Sequence, residues 1–373
     1  MLIICRKPTL EQQLVPNMYQ ESQFLAAKNL LAQLIACPSL SKEEQGTAQI
    51  LVDFFATQGI PSNRLGNNIW ATNLHFDASK PTILLNSHHD TVKANTSWTF
   101  DPLAATEQEG KLIGLGSNDA GASLVCLITA FVSFYAVENL GFNLVMAATA
   151  EEEISGTGGI VALLKSGGLP QIDFAIVGEP TDCAMAIAEK GLMVVDAQIK
   201  GIAGHAARNE GVNAIYLALE DIQNIQNHTF ARVSELLGPV KTTVTVINAG
   251  KQHNVVPDVC DYVIDCRVNE CYSLEEVLAE LKSIVQAELT PRSIRLNSSK
   301  MEESHPIVKA AKDLGITLFG SPTLSDQALL SVPSVKIGPG HSGRSHTADE
   351  FILLDELRLG IQTYQNLLLQ VNK

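Results

Sequence analysis

The 373-residue sequence predicts an α/β fold with a mostly parallel sheet, interrupted by a smaller α+β domain. Two observations carry this. Apolar runs of strand character alternate with helical runs to about residue 190, and the alternation resumes near the C-terminus. Between them, residues 191–299 read strand–helix–strand–strand–helix–strand. That is the split βαβ (ferredoxin-like) order, so this stretch is expected to fold as one inserted unit.

The elements follow in chain order. From about Ser22 to Ile35, Phe24, Leu25, Leu30, Leu31 and Leu34 recur at helical spacing. A second helix starts after Ser39 or Ser41, with acids in its first turn, and runs to about Thr57. NNIWATNL, PTILLNSHHD, FNLVMAATAEEE and DFAIVGEPT read as strands, with a helix from about Ala122 to Ala136 among them. In the insert, MVVDAQIKGIAGHAA, KTTVTVINAG, CDYVIDCRV and SIRLNSS are strand-like, while VNAIYLALEDIQNI and LEEVLAELKSIVQAEL are helical. SVKIGPG and the helix LDELRLGIQTYQNLLLQ return the chain to its first pattern. The main domain is thus expected from 18–190 and 300–373. Residues 1–17 are expected to be a disordered extension, or to precede a start at Met18.

Composition narrows the function. A net charge of −14 argues against nucleic acid or an anionic membrane surface as partner, since both call for basic patches. It fits a soluble cytoplasmic protein. No run approaches the ~20 consecutive apolar residues that a membrane span needs, and the apolar start of MLIICRKPTL is too short for a secretory signal. The seven cysteines are odd in number, loosely spaced and without a CxxC pair. They are expected to be reduced thiols, neither a disulfide frame nor a zinc site.

The strand ends carry the chemistry. PTILLNSHHD ends in His88, His89 and Asp90; FNLVMAATAEEE ends in Glu151, Glu152 and Glu153; DFAIVGEPT ends near Glu179; SVKIGPGHSGRSH leads to His341 and His346. A loop after Gly116 adds Asp119, just ahead of a helix. In open α/β sheets, ligands bind outside the carboxyl ends of the strands. Clustered carboxylates repel unless a cation or protons sit between them, and imidazole with carboxylate suits zinc, with cobalt or manganese as rivals. Singly, each segment has a plainer reading, since HxD occurs by chance and a triple glutamate commonly opens a solvated helix. Four such segments at strand ends and the Asp119 loop together point to a metal. Alternation along a strand would put His88 and Asp90 on one side and His89 on the other. A strand already turning would break that rule, so spacing alone leaves open which histidine is the ligand.

The chain resembles the di-zinc amidohydrolases of peptidase family M20, which include acetylornithine deacetylase, succinyl-diaminopimelate desuccinylase, aminoacylase and glutamate carboxypeptidase. SHHDTV, GLGSNDAGAS, TAEEEISG, VGEPT, GHAARNEGVNAI, NVVPD…DCR and GPGHSGRSHTADEF carry the resemblance, in the family's order over nearly the whole chain. SPTLSDQALLSVPSVKIGPG and SHTADEF look most like the acetylornithine deacetylase branch. The resemblance implies a zinc-peptidase-like catalytic domain, with the insert as a lid that pairs two subunits. It implies two zinc ions: His88 and Glu179 on one, Glu153 and His346 on the other, Asp119 bridging. It implies that Asp90 orients His88, that Glu152 is general base and then acid, and that a cis peptide follows Asp119. His205 would reach into the partner's site to stabilise the oxyanion, Asn254 would contact substrate, and Arg267 would clamp its carboxylate. His89 is then a packing neighbour and His341 lines the rim. The implied reaction is hydrolysis of an N-acyl amino acid of the acetyl- or succinyl-ornithine or citrulline type, in arginine biosynthesis. A desuccinylase for diaminopimelate, a dipeptidase of the same fold and a non-catalytic homologue are the alternatives. Intact Glu152 and all five ligand positions favour an enzyme.

The sequence also departs from the family. The basic residues usual around the bridging aspartate are absent from GLGSNDAGAS, and Ser345 replaces an alanine before His346. Arg208, Glu210 and Arg344 are extra charges. A succinyl group would need a cation in the acyl pocket, and Arg208 or Arg344 is the candidate to supply it.

Overall fold

The computed structural model describes residues 19–372, so the expectation for residues 1–17 lies outside them. A nine-stranded sheet forms the larger domain. At its centre Asn143–Thr149, Thr82–His88, Phe174–Gly178 and Ser334–Ile337 lie side by side and parallel. Every residue of these four strands is buried, as expected of parallel strands covered on both faces. Alternation along one strand sorts the two cores. Ile83 and Leu85 join the larger core, with Leu31, Phe131 and Leu367 from the helices Glu21–Ile35, Ala122–Phe134 and Leu354–Val371. Leu84 joins a smaller core with Val145, Ala175, Ile160 and Leu163. Each such side chain contributes roughly 1.5–3 kcal/mol by leaving water. The flanking strands, Asn68–Thr72 on one side and Met185–Glu189 on the other, run antiparallel to their central neighbours.

The window Ser117–Phe134 is long and apolar enough by composition to cross a membrane, which the sequence reading did not anticipate. Its apolarity serves the interior, where 83% of it is buried.

The smaller domain is a four-stranded antiparallel sheet in the order Lys241–Ala249, Val259–Val268, Gly191–Lys200, Glu288–Pro291. Burial alternates along Gly191–Lys200 and Val259–Val268, so one face carries the core. The helices Ala214–Asn227 and Leu274–Ile284 share that core, contributing Ala218, Ile225, Val277 and Leu281. Asn213 caps the first, and Ser273 with Glu276 forms a capping box on the second.

Two boundaries of this domain differ from the sequence reading, and in the larger domain the helix Gln45–Thr57 starts later than expected, with no acid in its first turn. The helix Leu274–Ile284 stops at Ile284, and the last strand of this sheet is Glu288–Pro291, not SIRLNSS. The buried carboxylate of Asp221 accepts the N–H groups of Gln286 at 2.8 Å and Ala287 at 2.9 Å. Those amides are thereby withdrawn from the helix, and the chain extends. Ser299–Lys300 instead pairs with Glu189 and Ala188 of the large sheet. The two connections between the domains cross at Gly191, where a Cβ would meet the backbone of Leu296–Ser298 at 2.6–2.8 Å. Six cysteines among the described residues are free thiols.

Candidate metal centre

The ends of the four central strands converge on one cluster. His88 closes its strand and is buried. Its Nε2 lies 3.4 Å from Asp119 Oδ1, 3.8 Å from Glu179 Oε1 and 3.9 Å from Glu152 Oε2. On the far side of the ring, Nδ1 is 3.3 Å from Asp90 Oδ1 and 3.0 Å from the Asp90 carbonyl. A second group forms around His346, whose Nε2 is 2.9 Å from Glu153 Oε2 and 3.6 Å from Asp119 Oδ2. His346 sits at φ 60°, a strained conformation for a histidine, and so turns back toward the sheet.

Two triads result, His88–Asp119–Glu179 and Asp119–Glu153–His346, each with its ligand atoms within 4.8 Å of one another. Asp119 belongs to both and gives one oxygen to each. Its loop is held by Glu350, which accepts N–H groups from Gly116 at 3.0 Å and from Asn118 and Asp119 at 2.8 Å each. The Asp119–Ala120 peptide is cis.

The three glutamates after Thr149 part company. Glu151, at φ 56°, folds back to accept the Gly158 N–H at 3.1 Å. A Cβ on Gly156 or Gly158 would lie 2.1–2.2 Å from its carboxylate, so the glycines of EEEISGTGG let the loop wrap around it. Glu152 and Glu153 instead line a cavity of about 580 Å³ together with Asp119, Glu179 and His346. Asp90 accepts the N–H groups of Glu152 at 3.1 Å and Glu153 at 3.2 Å, and Ser41 donates to it at 2.7 Å.

The electrostatics follow from burial and crowding. Burial pushes the Glu152 and Glu179 carboxyls well above the usual range against the pull of His88, and neighbouring carboxylates add to the rise. Burial alone would lower His88, but Asp119 and Asp90 hold its proton and raise it well above a free imidazole. Asp119 itself, despite its burial, is held low chiefly by His88. Glu153 raises His346 to about 9. So many carboxylates round two imidazoles, with Lys336 the one lysine or arginine lining the same cavity among the described residues, fit the charge and donor set of a pair of divalent cations.

His89 points elsewhere. Its ring joins Thr47 Oγ1 at 2.8 Å and the Asn67 carbonyl at 2.9 Å, and burial lowers its pKa. His341 is half exposed, 3.8 Å from Asp182 at the cavity mouth. The residues of the smaller domain do not line the cavity. His205 pairs with Val255 on a short ribbon, and the Ala206 N–H donates to the Asn254 carbonyl at 3.0 Å. Arg267 makes a bidentate pair with Asp265 at 2.8 and 3.1 Å. Arg344 is not a free cation, as the acyl-pocket reading required. Glu356 takes its guanidinium at 2.6 and 2.9 Å, and it lies 4.4 Å over the Phe351 ring. Arg208 is exposed and faces Glu210 at 3.6 Å.

Sequence reasoning missed Glu350, Asp326, Glu189 and Lys336. Asp326 is buried and raised to about 6 by that burial. Glu350, in the quoted SHTADEF, follows His346 by four residues and was open to notice; burial raises it to about 7.

The sequence profile of peptidase family M20/M25/M40 matches residues 84–370. The chain belongs to this family. As an M20 protein it is a metal-dependent hydrolase, and its two ligand groups are consistent with a dinuclear metal centre. It is 29% identical over 361 residues to an acetylornithine deacetylase of Proteus mirabilis, covering 87% of this chain and 91% of that one. It is 25% identical over 372 residues to a succinyl-diaminopimelate desuccinylase of Stenotrophomonas maltophilia, covering 92% and 98%. The fold matches aminopeptidase PepT from Bacillus cereus, with a TM-score of 0.75 at 19% identity, over 95% of this M20 chain and 100% of that one. It also matches YXEP of Bacillus subtilis, a dinuclear metal-binding M20 peptidase, with a TM-score of 0.73 at 18% identity over 95% and 99%.

Proposed function

We propose that this hydrolase cleaves the amide of an N-acyl amino acid, N-acyl-ornithine or N-acyl-citrulline first, in arginine biosynthesis. The observation that carries the reading is the division of Asp119 between two histidine groups with Glu152 close by and outside both. The likeness to acetylornithine deacetylases supports the substrate. The desuccinylase relatives favour succinyl-diaminopimelate as the second reading.

In this reading His88 and Glu179 hold one zinc, Glu153 and His346 the other, and Asp119 both. Zinc suits mixed imidazole and carboxylate donors, and cobalt or manganese would substitute. Bound there, the pair of cations supplies Lewis acidity toward a carbonyl and lowers the pKa of water. Asp90 fixes the His88 ring through Nδ1 and, through two main-chain N–H groups, the turn that presents Glu152. Glu152 takes the proton of the attacking water and returns it to the leaving nitrogen.

Two copies pair through the smaller domain. Val246 and Ile247 are exposed on its edge strand, as are Tyr216 and Leu219 on the adjoining helix. An open, apolar edge of this kind is a template for strand pairing. The partner's site would then receive His205 as oxyanion donor and Asn254 as a substrate contact, and Arg267 would clamp the substrate carboxylate. The test is a panel of N-acetyl and N-succinyl derivatives of ornithine, citrulline and diaminopimelate, with dipeptides, on zinc- or cobalt-loaded protein. Turnover of dipeptides alone would overturn the deacylase reading.

A further inference from the structure

Part of the cavity wall is the segment Ser321–Leu324. The next two residues, Ser325 and Asp326, turn inward and are each 2% exposed. Asp326 Oδ2 accepts from Asn86 Nδ2 at 2.8 Å and from Thr149 Oγ1 at 2.9 Å. Both donors are strategically placed. Asn86 lies two residues before His88, on the same side of the strand. Thr149 is the cross-strand partner of His88, and the turn bearing Glu152 and Glu153 begins just after it.

The wall is tied down from behind. Ser325 donates to Glu189 through its N–H at 2.9 Å and its hydroxyl at 2.7 Å. The buried Lys336 ammonium lies 2.6 Å from Glu189, 3.0 Å from the Thr323 carbonyl and 3.2 Å from the Thr323 hydroxyl. Its three donors are therefore spent on the wall and its anchor. One polar chain, buried from Lys336 onward, thus runs Thr323–Lys336–Glu189–Ser325–Asp326 and on to the strand ends. Buried charges are costly to hold, and a well-packed apolar set often serves stability as well. A carboxylate here gives charge-assisted bonds, shorter and more directional than a neutral acceptor would make.

We propose that Asp326 is a positioning residue. By holding Asn86 and Thr149 it fixes the strand ends that aim His88 and Glu152, and it links them to the wall on which the substrate lies. The turnover part of this proposal rests on the deacylase reading; the metal-binding part does not.

The test compares Asp326→Ala, Asp326→Asn and Thr149→Val with wild type, by steady-state kinetics and by Co2+ titration followed in the visible spectrum. Loss of such an outer partner typically costs about 10–100-fold in metal affinity or activity. Asp326→Ala is expected to lower kcat by at least about tenfold with KM little changed, and to weaken Co2+ binding by a similar factor. Asp326→Asn and Thr149→Val should fall between it and wild type. A brace that serves folding alone would lower the melting temperature and leave folded protein with wild-type kcat and Co2+ affinity. That result overturns the proposal. If Asp326→Ala does not fold, Thr149→Val decides by the same two readouts. If wild type turns over no N-acyl amino acid, the deacylase reading fails and the Co2+ titration still decides.

Discussion

Asp90 grips Glu152 by its backbone: the carboxylate accepts the Glu152 N–H at 3.1 Å while lying 3.3 Å from the ring of His88. One side chain thus sets the ring of a proposed metal ligand and the turn of the proposed base together. Asp90→Ala should therefore impair both, lowering metal affinity and kcat by about 10–100-fold each. Calorimetric zinc titration and initial rates would check it. Equal metal affinity in variant and wild type would remove Asp90 from this role.

Glu152→Gln separates proton transfer from metal binding. Glu152 lies in neither triad, so the amide should leave both ions bound. Positioned general acid–base groups contribute typically 10²–10⁴-fold, so the rate should fall by about that much. Metal analysis by mass spectrometry beside an amide-hydrolysis assay reads both. Unchanged hydrolysis would mean that another group moves the proton.

The metal-free protein should lose stability as pH rises. Glu152 and Glu179 are raised well above the carboxylate range, Asp326 to about 6 and Glu350 to about 7, all first by burial. Interaction with Glu153 raises His346 to about 9. Across these windows the folded state holds more protons than the unfolded chain, so each unit of pH gained costs stability. Asp90 and Asp119 are lowered instead, with their effect confined below about pH 4, and the lowered His89 and His305 oppose the trend only below about pH 6.5. Melting after chelation should thus occur at lower temperature at pH 8 than at pH 6. With zinc in excess the order should reverse, because the ions displace those protons and bind better as pH rises. A melting temperature indifferent to pH in the chelated protein would show that these groups are hydrated, not crowded.

Arg344→Ala should leave the choice of acyl group untouched. Its guanidinium is committed to Glu356, and the pair is about one-fifth exposed. The expected cost is in stability, about 1 kcal/mol, from a partly screened ion pair and its contact with Phe351. The ratio of succinyl to acetyl turnover, measured beside a denaturant midpoint, distinguishes this from a pocket role.

Strand ends are legible in the sequence because an apolar run that stops in His, Asp or Glu breaks the pattern of its own strand. That local contrast points to the stretches His88–Asp90, Glu151–Glu153 and Glu179, and the family resemblance, not the contrast, singles out His88 and Glu153 within them. Asp326 and Glu350 show no such contrast, because their meaning lies in partners 240 and 234 positions away, at Asn86 and Gly116. Glu189 and Lys336 are likewise ordinary charges until the sheet brings Met185–Glu189 beside Ser334–Ile337. The end of the helix at Ile284 is hidden for a similar reason. AELKSIVQAEL keeps helical spacing, and only the carboxylate of Asp221, sixty-odd positions earlier, draws the chain out of it.

Complementation would test the partner-supplied histidine. His205 is exposed and lines no part of its own chain's cavity. If it serves the partner's site, His205→Ala and Glu152→Gln should each be inactive as homodimers, for different reasons. Unfolded and refolded together, half of the dimers pair one chain of each kind. In such a dimer the site with intact Glu152 receives intact His205 from its partner, while the other site lacks both. An equal mixture should therefore recover about a quarter of wild-type activity, from two inactive parents. Val246→Glu on the edge strand should yield monomers by light scattering and abolish the recovery. If the mixture stays inactive although mixed dimers are shown by mass, His205 does not act across the interface.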